Sequence, residues 1–247
     1  PQTRARVLEE VKQALADGRR RIRAAFEAGA PVHDTMAANA DLIDQLLRDL
    51  LDFATTYVFP APNPTTGDRL CVAAVGGYGR GELAPWSDID LLFLLPYKKT
   101  PRSEQVVEYV LYMLWDTGLK VGHATRTVDE CLRLARDDTT ITTSLLESRW
   151  IWGETVLYAD LRRRFFAELV EGTGPAFLEA KLAERDQRHR RLGDSRYVLE
   201  PNVKDGKGGL RDLHTLYWIA KYLYQVEDVA DLAGRCVLTR AELRRFE

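Results

Sequence analysis

Two aspartates one residue apart, Asp88 and Asp90, follow a glycine pair in the run Gly76-Gly77-Tyr78-Gly79-Arg80-Gly81-Glu82-Leu83-Ala84-Pro85-Trp86-Ser87-Asp88-Ile89-Asp90. Alternate side chains of a strand share a face, so the two carboxylates point one way and Ile89 points the other, into a core. Carboxylates about 7 Å apart along a strand are hard oxygen donors suited to a pair of Mg²⁺ ions. Such ions clamp the attacking and leaving oxygens of a phosphoryl transfer. The glycines let backbone N–H groups approach a triphosphate, above all where a helix begins. The predicted chemistry is nucleotidyl transfer, with Asp88 and Asp90 as catalytic metal ligands.

Other glycine motifs fit less well. Gly77-x-Gly79-x-Gly81 is not the G-x-G-x-x-G of a dinucleotide-binding turn, and the acids arrive too early for one. No Gly-Lys is followed by Ser or Thr, which excludes a P-loop, so Gly206-Lys207-Gly208 is a decoy. A lone Asp-x-Asp is most often a solvated strand-edge pair. Here the glycine pair upstream, Ser87 directly before the first acid and the apolar strand behind it favour a site, because facing carboxylates repel without cations. Gly76, Gly77, Arg80 and Ser87 are the expected triphosphate contacts. Arg80 reads equally well as a solvated turn residue.

A second constellation is Glu200-Pro201-Asn202-Val203-Lys204-Asp205-Gly206-Lys207-Gly208-Gly209-Leu210-Arg211-Asp212-Leu213-His214. A basic loop feeds a helix whose apolar face is expected at Leu213, Leu216, Tyr217 and Ala220. Lys204, Arg211 and free amides at the helix start make a second candidate anion site. Its plainer reading is a solvated connector with Arg211 and Asp212 paired. Arg185 to Arg196 is a diluted basic stretch leading into this loop. The four histidines are dispersed without a His-Asp pair in sequence, and no Ser or Cys nucleophile motif is present.

These motifs must be positioned by surrounding elements. Residues 4–29 and a helix beginning at Asn39 or Asp41 read as amphipathic, separated by Pro31 and His33-Asp34-Thr35. The Pro-rich run Phe59 to Asp68 marks a boundary. Leu70–Val75, Ile89–Leu95 and Leu119–Thr127 read as strands, with a helix at 103–117, which makes a compact α/β unit. Beyond Val128 the pattern is helical: Ile141–Trp152, Val156–Val170, Ala176–Arg191 and Leu210–Tyr224. The charged end Arg244-Arg245-Phe246-Glu247 lacks a stop signal and is expected to be a cut.

The 247 residues carry a net charge of −2, with 45% hydrophobic and 29% charged side chains. That balance suits a globular chain with a sizeable core and gives no general reason to expect nucleic-acid binding. Cys71, Cys131 and Cys236 are widely spaced, which fits a reducing cytoplasm. No signal peptide opens the chain, and the longest apolar run, Leu91–Leu95, cannot span a bilayer. A cytoplasmic protein without membrane partners is expected.

The run Gly76 to Leu95 resembles the signature of DNA polymerase β-type nucleotidyltransferases. With Leu114 to His123, Arg126-Thr127, Leu146-Glu147-Ser148-Arg149 and Glu200 to Trp218, the chain from about residue 70 resembles the bacterial PII uridylyltransferase/uridylyl-removing enzymes. Glutamine synthetase adenylyltransferases have a block related to the last of these. The resemblance implies an α+β fold: a small mixed-sheet polymerase β-type core with N-terminal helices and a C-terminal helical domain. The expected divisions are 1–66 (helical segment), 67–130 (nucleotidyltransferase core) and 131–247 (helical domain, cut before a phosphohydrolase domain). The resemblance further implies transfer of UMP from UTP to a tyrosine hydroxyl of the PII nitrogen-regulatory protein, with Mg²⁺ or Mn²⁺ as cofactor and release of pyrophosphate. Lys204 and Arg211 would contact the nucleotide. Uridylyl removal and glutamine sensing belong to family domains with His-Asp and ACT motifs, which are not expected here. The superfamily's third carboxylate has no counterpart in Lys120–Thr127. Asp116, Asp129 and Glu130 flank that strand, and the choice among them stays open. Two rivals remain: a protein adenylyltransferase using ATP, and a non-catalytic nucleotide-sensing module.

Overall fold

The computed structural model describes residues 2–193, 200, 202–226, 230–235, 237 and 239–246. Arg196, Pro201, Cys236 and Glu247 of the sequence reading lie outside these residues. The described residues form two compact units, one of residues 1–134 and 147–163, the other of 135–146 and 164–247.

The first unit is a four-stranded mixed sheet covered by helices. Helix α1 spans Gln2–Glu27 and α2 spans Val32–Phe53. Helix α2 starts earlier than its sequence suggests. Pro31 lies just outside the first turn, where a missing N–H costs nothing, and the Asn39 side chain donates to the Thr35 carbonyl (3.1 Å) instead of capping. Strand β1 is Cys71–Ala74, followed by the single-turn helix α3 (Gly76–Gly79) and β2 (Ile89–Leu95). Helix α4 (Pro101–Asp116) opens on a Thr100 cap with proline in its first turn. Strand β3 is Val121–Thr127, leading into α5 (Val128–Asp137) and α6 (Thr139–Leu146).

A fourth strand, β4 (Arg149–Gly153), occupies the second half of the segment read above as a helix from Ile141 to Trp152. Only Thr139–Leu146 is helical there. Trp150, Ile151 and Trp152 are aromatic and β-branched, Ile151 alone is buried, and the segment gains backbone partners by pairing antiparallel with β1. The sheet order is β3-β2-β1-β4, with β2 and β3 parallel and the other pairs antiparallel. This is the small mixed sheet expected.

Strand β2 is buried at every position except Asp90. Ile89, Leu91, Phe93 and Leu95 join Leu47, Leu51, Val110 and Leu114 in the core on one face. Each such side chain contributes about 1.5–3 kcal/mol by leaving water. Asp90 is the one exposed position of this otherwise buried strand.

The second unit is helical, with α6, α8 (Gly174–Arg191), α9 (Leu210–Tyr224) and the short α10 (Ala230–Gly234) and α11 (Arg240–Phe246). Helix α7 (Thr155–Phe165) runs from the first unit into it. Phe177 stacks on Tyr222 (3.8 Å between centroids), and the buried Lys181 ammonium sits over Trp218 while pairing with Glu184 at 2.7 Å. The buried face of α9 is Thr215, Trp218, Ile219 and Tyr222. Leu213 and Leu216, expected in the core, are exposed. No helix among the described residues is long and apolar enough to cross a membrane.

Candidate active site

The Asp90 carboxylate is placed by two glycines and two backbone hydrogen bonds. Val75 N–H donates to the Asp90 carbonyl (3.0 Å), and Ile89 N–H donates to the Lys120 carbonyl (2.9 Å), which fixes β2 between the glycine turn and β3. Gly76 has φ +61°, and a Cβ there would stand 3.4 Å from Asp90 Oδ2. Gly122 pairs directly with Asp90 in the parallel register, and a Cβ there would overlap Asp90 Oδ1. The carboxylate thus occupies space that the missing side chain of Gly122 leaves open, while at Gly76 the left-handed backbone is what favours glycine. Asp88 lies just before β2, is exposed, and is near enough for its charge to act on Asp90. Burial first, and the Asp88 charge second, hold the Asp90 carboxyl above its ordinary pKa. Two oxygen donors of like charge, one of them partly desolvated, form a set that fits a hard divalent cation.

The glycine turn itself is anchored from behind. Tyr78 is buried and donates to Asp44 Oδ1 of α2 (2.6 Å), and Arg149 of β4 grips the same carboxylate at 2.5 and 3.1 Å. Arg48 adds a longer ion pair at 3.5 Å. Burial and the neighbouring Asp44 charge drive the Tyr78 pKa far up, so the phenol stays a donor. Gly79 lies so close to the Glu147 carbonyl that a Cβ would overlap it. Arg80 reaches the buried Glu147 carboxylate at 2.7 Å and Glu82 at 3.3 Å. Burial works against the Arg80 charge, but the two glutamates outweigh it and raise its pKa. Its Nη2 curls back over the turn, 3.5 Å from where a Cβ on Gly77 would stand. Arg80 is therefore neither a solvated residue nor an open phosphate clamp here: it is a charge held beside Gly77 by two acids.

The acids flanking β3 have other engagements. Asp116 pairs with Arg4 at 2.5 Å, and Glu130 closes the start of α5 by accepting from Thr127 N–H (2.8 Å). Asp129 is exposed in the first turn of α5. Among the described residues no group of three His, Cys, Asp or Glu side chains could hold a metal ion together. Cys71 and Cys131 are buried with thiols pushed up to about 12, chiefly by burial, which makes them inert.

In the second unit, Lys204 is exposed and Arg211 pairs with Asp205 at 3.5 Å. The expected free amides at the start of α9 are not free. Leu210 and Arg211 N–H donate to the Val203 and Lys204 carbonyls (both 2.9 Å), because the loop folds back on Asn202 in an Asx turn. Asp212 pairs with Arg188 and with His189 (3.0 Å) on α8, and accepts from Gly208 N–H at 2.8 Å. The His-Asp pair absent from local sequence is thus made over 23 residues. Beside it opens a cavity of about 840 Å³ lined by Arg185, His189, Arg190 and Lys207 together with Asp186 and Asp212.

Sequence reasoning gave no role to Asp44, Gly122, Glu147 or Arg149. One signal was available. Asp44 recurs at helical spacing with Ala40, Leu47 and Leu51, so it stands on the buried stripe of α2.

The nucleotidyltransferase domain model matches residues 67–146, and the GlnD PII-uridylyltransferase model matches residues 176–247. Three similar proteins are described as bifunctional uridylyltransferase/uridylyl-removing enzymes. That of Azospirillum brasilense is 61% identical over 243 residues, that of Rhodospirillum rubrum 58% over 247, and that of Caulobacter vibrioides 53% over 243. Each alignment covers 98% of this chain and 26% of the relative, so the chain spans about a quarter of the length of the proteins it matches. With the glycine turn and the paired aspartates inside the segment that the nucleotidyltransferase domain model matches, the chain carries a nucleotidyltransferase domain and is similar over nearly its whole length to part of the bacterial uridylyltransferase/uridylyl-removing enzymes.

Proposed function

We propose that the chain transfers UMP from UTP to a tyrosine hydroxyl of a PII protein. The observation that carries this reading is the Asp90 slot: a carboxylate in an apolar strand, given space by Gly122, beside the Gly76 turn and electrostatically coupled to Asp88. Asp88 and Asp90 would hold Mg²⁺ or Mn²⁺. When bound, the metal neutralises the triphosphate and stabilises the departing pyrophosphate. Gly76 and Gly77 present first-turn amides of α3, whose N–H groups have no partner inside the helix and suit phosphate oxygens. Ser87 precedes the first aspartate but lines the cavity between α1, α2 and this loop together with Ile89, so the phosphate contacts proposed here are the glycine amides and not its hydroxyl. Arg80, fixed by Glu147 and Glu82, lends positive charge beside Gly77. The Tyr78–Asp44–Arg149 cluster keeps the turn rigid, so the amides need no reorganisation during reaction. The preference for UTP and for PII rests on the chain's similarity to uridylyltransferase/uridylyl-removing enzymes and not on a base-reading residue. The compartment is proposed to be the cytoplasm, without nucleic-acid or membrane partners.

The test is incubation of the chain with PII, Mg²⁺ and UTP, followed by intact-mass measurement. A mass increase of one uridylyl group on the acceptor is expected, and excess ATP should not suppress it. Labelling from ATP in preference to UTP would move the chain to the adenylyltransferases. Nucleotide binding without any transfer to PII would make it a sensing module.

A further inference from the structure

On the opposite face of the sheet from the Asp90 carboxylate lies a second cavity, of about 450 Å³, between α1, α2 and the loop that leads into Asp88. Leu42, Ile43, Leu83 and Ile89 are among its lining residues, with Arg19, Trp86 and Ser87 at the loop side. Trp86 is 80% exposed and has φ 67°. A bulky side chain in the left-handed region costs free energy, and an indole left in water recovers none of it by burial. Strain of that kind persists where the surroundings impose it and a function uses it.

The Arg19 guanidinium sits over the Trp86 ring, 4.9 Å from its centroid. Its neighbours on α1 are neutralised within the helix, Arg20 by Asp17 and Arg23 by Glu27 at 2.8 Å. Among the described residues no ion pair includes Arg19, and burial lowers its pKa with no carboxylate to offset that. The site thus combines an apolar hollow, an exposed aromatic ring and one arginine without an acidic partner. Ile89 lines the hollow, so Asp90, the next residue of β2, faces away from it, and neither aspartate is among the lining residues. A nucleotide held at those carboxylates leaves the hollow to the other substrate.

We propose that this hollow docks an extended segment of the acceptor protein, with an apolar side chain inserted beside Trp86 and an acidic side chain on Arg19. The proposal rests on the acceptor being a protein, as set out above. Docking here would place the acceptor chain against the loop whose next residues are Ser87 and Asp88. An aromatic side chain that becomes buried on docking, beside an arginine, is the composition that concentrates binding energy at protein interfaces.

Two variants of the whole chain test it, R19E and W86G, with thermal unfolding to confirm that each folds. Binding of dye-labelled PII is measured by fluorescence anisotropy without nucleotide, and the KM values for PII and for UTP are measured separately. Both variants should weaken PII binding by about tenfold or more, while the UTP KM stays within about twofold. W86G should melt at the same or a higher temperature, because glycine relieves the left-handed strain. Unchanged PII binding in both variants overturns the proposal, as does an effect confined to UTP, which would make the hollow a base site. If the chain transfers no uridylyl group, the functional reading fails, and the anisotropy arm still decides the docking surface.

Discussion

Gly122 stands directly across the parallel ladder from Asp90, and the space where its side chain would be is filled by the Asp90 carboxylate. This relationship explains why β3 carries no acid at the position facing the site. Any side chain there would displace the one carboxylate that β2 exposes. G122A is expected to lower transfer by two or more orders of magnitude. Its loss of stability should be only that of local overpacking, about 1–3 kcal/mol. Activity assays beside denaturant unfolding separate the two effects.

Asp88→Asn and Asp90→Asn should each abolish transfer and leave the fold as stable or more stable. The sign follows from Asp90. Its folded-state pKa is raised by burial and by Asp88, so the folded state holds the proton more tightly than the unfolded chain. Stability therefore falls as pH rises from the ordinary carboxylate range through the raised value. Melting temperatures across the acidic range should show this slope in the wild type and not in D90N. Mg²⁺ should raise the melting temperature of the wild type and leave the double mutant unmoved. A fully active double mutant would sink the metal assignment.

Glu147→Ala removes the buried acid that holds Arg80 over the glycine turn. Breaking a largely buried pair from one side costs about 3–5 kcal/mol, and Glu82 retains part of the hold, so a loss at the lower end is expected. UTP affinity should fall along with stability, because the guanidinium loses its fixed place. Equilibrium unfolding and UTP titration of the same variant measure both.

Tyr78→Phe deletes the 2.6 Å bond to Asp44 and leaves Arg149 in place. A stability loss of about 1–2 kcal/mol is expected, with kcat reduced more than the UTP KM, since the turn is loosened but not removed. Unfolding and steady-state kinetics test this.

Asp212 gives the opposite pH behaviour to Asp90. Burial works to raise its pKa, but the Gly208 amide, His189 and Arg188 together hold it below the usual value. Its contribution is present above the ordinary carboxylate range and is lost as pH falls through the lowered value. D212N should flatten the acid limb of the stability curve, measured by unfolding between pH 5 and pH 2, roughly the window of such carboxylates.

The sequence made the chemical face legible because its information is local. The glycine turn, the alternation of Asp88, Ile89 and Asp90, and the apolar strand behind them sit within one short run. Strand β4 was hidden because Leu145, Leu146, Ile151 and the tryptophans around it form one apolar stretch that suits a helix as well. Only pairing with β1, some 80 residues upstream, decides for a strand. The Arg149–Asp44 bond crosses 105 residues for the same reason. The second unit misled in a related way. Leu213 and Leu216 look like a core face, yet the aromatic stack of Phe177 on Tyr222 turns α9 so that they meet water.

The pairing of β4 with β1 has a consequence for biosynthesis. On the ribosome, β1, the glycine turn and β2 emerge first, and the outer edge of β1 waits for residues 149–153 before it finds its neighbour. During that interval a strand of buried apolar residues offers bare N–H and C=O groups to any passing chain. The glycine turn likewise lacks Glu147 and Arg149 until then. The face proposed to be catalytic is thus assembled late, after residues 135–146 of the helical unit have already been made. A chain halted at residue 130 would carry both aspartates and yet present an open sheet edge, which is a recipe for inclusion bodies and not for a minimal enzyme.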